Sequence, residues 1–144
     1  MGERYMENKA VILNKYESIE KCIQRINEEY AGDPKNLNIV NKNDAIILNL
    51  QRACEMVIDI AMYVVSTKKL GIPQTKKEAF EILLKNNIID EKIFKNMKGM
   101  IGFRNIAVHD YQEIDEEILI EIIEKHLQDL EDFARTMLKL EDEK

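Results

Sequence analysis

Cysteine is scarce: Cys22 and Cys54 are the only two, they form no CxxC pair, and both lie in long stretches of helical apolar period. That argues against a disulfide framework or a thiolate metal site, so both are expected as reduced core residues. No apolar run approaches the ~18 residues that a membrane span needs, and the opening MGERYMENK lacks the apolar segment of a secretion signal. The expectation is a soluble, cytoplasmic protein with no membrane partner, no metal and no cofactor. Positive charge is also in deficit, with 21 Lys/Arg against 27 Asp/Glu and a net charge of -6. Nonspecific nucleic-acid binders are usually basic overall, so that class is disfavoured. Strand-like alternation, internal repeats, low-complexity segments and a domain boundary are all missing. At 144 residues, one domain over 1–144 can bury about two-thirds of its unfolded surface.

What is present is helical period. Ile12, Tyr16, Ile19, Ile23, Ile26 and Tyr30 make one stripe of a long helix that Gly32-Asp33-Pro34 stops. A second long helix, from about Asp44 to Ser66, carries Ile47, Leu50, Cys54, Val57, Ala61 and Val64. Its other flank is nearly as apolar, leaving a narrow polar stripe of Arg52, Glu55 and Asp59. Such a helix must be covered on nearly all sides, by its own bundle or by another subunit. After Gly71-Ile72-Pro73, Thr75 and Glu78 have capping-box spacing for a short helix that ends at Asn86-Asn87. Asp90 can cap a fourth helix running towards Tyr111, with Ile93, Met97, Met100, Ile101, Ala107 and Val108 inward. Asp115 caps the last, whose stripe is Leu119, Ile122, His126, Leu130, Phe133, Met137 and Leu140. The fold expected is all-α, an antiparallel up-and-down bundle of about five helices.

Charge is unevenly spread. Ser66 to Arg104 holds nine Lys/Arg against four acids, which leaves +5 there and -11 in the remainder. That region could attract phosphate, or could be an ordinary set of solvated lysines. At its end stands GFRNIAVHDY, Gly102 to Tyr111, which holds an arginine, an asparagine, a histidine and a tyrosine within eight residues. Asn105 and His109, at i and i+4, lie about 40° apart on one helix face. Arg104 and Tyr111 differ by about 20°, and the two pairs by about 100°, if the helix runs regularly through Tyr111.

Cutting RNA without a metal requires a group to take the 2′-OH proton, a group to protonate the leaving 5′-oxygen, and a cation beside the crowded phosphorane. Imidazole titrates near neutral pH and suits both proton roles, which His109 would fill. Arg104 offers a permanently charged fork to phosphate oxygens, and Asn105 can orient either by hydrogen bonding. One such histidine per chain is not enough for both proton transfers. A symmetric dimer would supply the second, and the over-apolar second helix offers a route to one. Plainer roles stand beside these: His109 closing the last helical carbonyls, Arg104 paired with a carboxylate of the acidic final helix, Tyr111 at the edge of the core. Gly99 and Gly102 weaken a helix by roughly 1 kcal/mol each, which suggests close approach of another backbone there. His126, on an apolar stripe without polar companions in register, is expected to be structural.

Arg104, Asn105, His109 and Tyr111 read R-N-x3-H-x-Y, and with the flanking MIGFRNIAVHDY and the order of helices the chain resembles the HepT-like ribonuclease toxins of the HEPN superfamily. The resemblance implies a homodimer with the two motifs facing across a cleft, cleaving RNA by 2′-OH attack without metal and leaving a 2′,3′-cyclic phosphate. It assigns Arg104, Asn105 and His109 to catalysis. It also implies a partner in a type VII-like toxin-antitoxin pair, a minimal nucleotidyltransferase antitoxin that adenylylates Tyr111. An added AMP would put bulk and negative charge where RNA phosphate should lie. The alternative is a noncatalytic nucleotide- or substrate-binding subunit of a two-component nucleotidyltransferase.

Overall fold

In the computed structural model, which describes residues 2–142, every regular element is helical. The elements are α1 (Gly2–Tyr30), α2 (Val40–Thr67), α3 (Lys76–Lys85), α4 (Glu91–His109) and a final helix that runs as α5 (Glu116–Glu121), one π turn (Ile122–His126) and α6 (Leu127–Asp142). Among the described residues no helix is long and apolar enough to cross a membrane.

Polar contacts fix the helix directions. Asn8 with Tyr63 and Lys15 with Asp59 set α1 antiparallel to α2. Lys9 with Asp142, Tyr16 with Arg135 and Tyr30 with Glu124 set α1 antiparallel to the final helix. Asp44 with Tyr111 and Glu55 with Arg104 do the same for α2 and α4. α2 lies against α1, α3, α4 and α6, and its stripe from Ile47 to Val64 is buried throughout. The short α3 is pinned by Phe80, whose ring sits 5.3 Å from that of Phe133 on α6 with both side chains fully buried. Truncating either ring would cost about 3–5 kcal/mol. Cys22 and Cys54 are buried free thiols, and burial pushes the Cys54 thiol up to about 12.

Helix ends follow local chemistry. Asp33 accepts from Lys35 N–H and caps a short 3-10 turn (Pro34–Asn38), after which α2 begins at Val40, four residues before the expected Asp44. Lys69 and Asn87 sit at positive φ (54° and 60°) just beyond α2 and α3. The following amides of Leu70 and Ile88 reach back to Val65 and Leu83 carbonyls, so orphan carbonyls are closed even without glycine.

Three stripe assignments need correction. Val108 is exposed and Phe103 takes the inward position on α4. Leu140 is only half-buried, whereas the neighbouring Glu141 is buried with Lys68 Nζ 3.6 Å away. His126 does have polar companions: its Nδ1 lies 2.8 Å from Asp129, and Glu121 is at 4.0 Å. Gly99 and Gly102 meet no other part of the chain, since a Cβ built on either would find nothing within 4 Å.

Candidate active site

α4 carries the polar motif on its last two turns. Asp90 sets where the helix begins, accepting from Ile93 N–H at 2.8 Å. From there the inward face is Met97, Met100, Ile101, Phe103 and Ala107. The opposite face, with Gly99, Gly102, Asn105, Ile106 and His109, is open to solvent.

Arg104 lies between these faces, its side chain 16% exposed. One terminal nitrogen is 3.1 Å from Glu55 Oε2, the other donates to Asn105 Oδ1 at 3.4 Å, and Nε is buried with no hydrogen-bond partner among the described residues. Its carboxylate partner therefore comes from α2 and not from the final helix. Together with Arg52, Asp59 and Lys76, over a floor of Met56 and Ile58, this ion pair lines a cavity of about 350 Å³. Arg52, Glu55 and Asp59, which period alone reads as a narrow polar stripe, are thus walls of the concavity that holds Arg104.

Asn105 lines a second concavity with Lys76, Lys77 and Met62, so Lys76 stands between the two. Part of the basic region therefore does flank the motif, while Lys68 at its other end is tied to Glu141. His109 follows Asn105 by one turn on the same exposed face, and its imidazole makes no hydrogen bond among the described residues.

α4 does not continue to Tyr111. It stops at His109, and Asp110 (φ -142°, ψ 51°) leads into a 3-10 turn, Tyr111–Glu113. The phenol is carried away from Arg104 and onto α2, where its hydroxyl donates to Asp44 Oδ1. That hydrogen bond, then desolvation and the carboxylate's charge, push the Tyr111 hydroxyl up to about 12. Tyr30 is raised to about 12 as well, by burial first and by Glu124 second. The motif is thus gathered in part: Arg104 touches Asn105, His109 shares its face, and Tyr111 turns aside. Among the described residues, no three His, Cys, Asp or Glu side chains converge in a way that could hold a metal ion.

Comparison with known proteins follows the same lines. The family model described as "Ribonuclease HepT-like" matches residues 12–137. A protein of Shewanella oneidensis described as an mRNA nuclease HepT is 42% identical over 123 residues, 85% of this chain and 92% of that one. A solved structure of a tri-AMPylated Shewanella oneidensis HEPN toxin in complex with MNT antitoxin superposes with a TM-score of 0.82 at 42% identity, covering 88% of this chain and 95% of that one. A putative RNase of Archaeoglobus fulgidus is 28% identical over 104 residues, 72% of this chain and 77% of that one.

Proposed function

This chain belongs to the HepT-like ribonuclease family, and from that premise we propose that it is a metal-independent endoribonuclease toxin acting as a homodimer. The observation that carries the reading is the seating of Arg104: a guanidinium fixed in a cavity wall by Glu55 and Asn105, with Nε still unpaired. A buried donor without a partner costs about 1–3 kcal/mol. A phosphate oxygen arriving there would repay that cost and meet a cation already in place.

His109 is the proton-transfer group. In the dimer one imidazole takes the 2′-OH proton as that oxygen attacks phosphorus, Arg104 faces the phosphorane, and the second imidazole protonates the departing 5′-oxygen. The products are a 2′,3′-cyclic phosphate and a 5′-hydroxyl. Asn105 orients phosphate or imidazole from the same face. The exposed side of α4, hollowed at Gly99 and Gly102 and flanked by exposed Ile106, is the surface offered to the second copy. Leu48 and Met62 of α2 add exposed apolar area beside it.

The Shewanella toxin was solved AMPylated and bound to its antitoxin. We propose the corresponding control here: a minimal nucleotidyltransferase adenylylates Tyr111, a residue that is 44% exposed.

The test is RNA cleavage in EDTA by the partner-free protein and by His109→Ala. We expect the wild type to cut and the variant to lose about 10²–10⁴-fold in rate. Equal cleavage by both, or none by either, would sink the proposal. Absence of cleavage together with tight nucleotide binding would favour the noncatalytic binding subunit instead.

A further inference from the structure

We infer that Asp44 is the proton acceptor for covalent modification of Tyr111, so that this chain supplies one of the groups needed to load a nucleotide onto its own tyrosine. The inference rests on the modification reading above and names the residue that serves it.

The described tyrosines form a natural comparison. The Tyr16 hydroxyl accepts from Arg135 at 3.1 Å, and that of Tyr63 donates to Asn8 at 2.7 Å. Tyr30 donates to a carboxylate, Glu124, but only 3% of it is exposed and no electrophile can reach it. Tyr111 alone among them combines a carboxylate partner with an accessible ring. In a core, such a pair satisfies a buried phenol. At the surface water competes for both groups, so the bond adds little net stability and does more to place the two groups than to hold the fold.

The pair is also assembled over distance. Asp44 belongs to the first turns of α2, Tyr111 to the 3-10 turn after α4, and they are 67 residues apart in sequence. With its hydroxyl pushed up to about 12, the phenol is neutral at pH 7. It cannot wait as phenolate, and its proton must leave as it attacks.

In the step, a lone pair on the Tyr111 oxygen bonds to the α-phosphorus of a nucleoside triphosphate. The bond from that phosphorus to the bridging oxygen breaks, and pyrophosphate leaves with the electron pair. The phenolic proton passes to the Asp44 carboxylate and from there to water. The triphosphate and the divalent cation that screens it come with the nucleotidyltransferase.

The experiment is single-turnover labelling of the intact chain by purified nucleotidyltransferase, saturating in enzyme, magnesium and ATP, followed by intact mass and peptide mapping. Asp44→Asn keeps an acceptor for the hydroxyl but cannot take its proton, and we expect its labelling rate to fall about 100-fold or more. Asp44→Glu should recover at least tenfold of that loss, which a mere packing role would not produce. Thermal melting of both variants near wild type separates the effect from misfolding. A wild-type rate in Asp44→Asn overturns the inference while leaving Tyr111 as the modified residue. Equal labelling of Tyr111→Phe and wild type overturns the modification reading, and the inference with it.

Discussion

Arg104 holds three relationships at once: an ion pair to Glu55, a contact to Asn105 and an unspent Nε donor in a cavity wall. A lysine could keep the charge and one of these, since an ammonium is a point charge on a flexible stem and cannot present a planar fork. Arg104→Lys is therefore expected to lower kcat for RNA cleavage by about 10²–10³, as loss of one preorganised donor does elsewhere, with a smaller change in KM. Steady-state kinetics on a defined RNA would measure both, and a wild-type kcat would mean that charge alone suffices. Arg104 itself was legible, because its spacing to His109 and Tyr111 marks it. Glu55 was not: helical period places it on a polar stripe of α2, and nothing in that period says that a residue 49 positions away packs against it. Asp44 was hidden for the same reason, having served only as an approximate helix start.

Among the elements, those with a local cause were readable. Thr75, Asp90 and Asp115 each accept from a backbone N–H of the first turn, at 3.1, 2.8 and 2.8 Å, as their spacing predicts. The end of α4 was not readable, because the stretch HDYQE contains neither glycine nor proline and the turn at Asp110 goes with a tertiary contact, Tyr111 with Asp44. The π turn in the final helix likewise leaves no mark on the apolar period, although it lets both Ile122 and Ile123 face inward. Caps give a clean prediction at this scale. Asp90→Ala should cost about 1 kcal/mol of stability, a few degrees in Tm, since the Ile93 amide loses its partner. Cleavage per folded molecule should be unchanged, because the motif sits at the other end of a 19-residue helix. Urea unfolding and initial cleavage rates on the same sample would check the pair of expectations. An unchanged unfolding midpoint would mean that packing alone sets where α4 begins.

At the scale of the molecule, the glycines of α4 separate a protomer from a dimer. The sequence gives a reason to expect close approach at Gly99 and Gly102, yet within one chain both face open space. A Cβ at Gly102 would meet nothing of its own chain, so Gly102→Ala should stabilise the protomer by about 0.5–1 kcal/mol through helix propensity. A larger side chain turns the same position into a test of the second copy. The Cβ of Gly102→Leu would meet nothing of its own chain, and the exposed side chain would stand on the face that carries Asn105 and His109. If two copies meet there, the leucine holds them apart and each active site loses its second imidazole. Sedimentation should then shift from dimer towards monomer, and cleavage should fall as far as it does in His109→Ala, with Tm of the protomer no lower than wild type. A Gly102→Leu protein that remained dimeric and cut RNA at the wild-type rate would place the interface on another face. The exposed Leu48 and Met62 of α2 would then be the surface to mutate next.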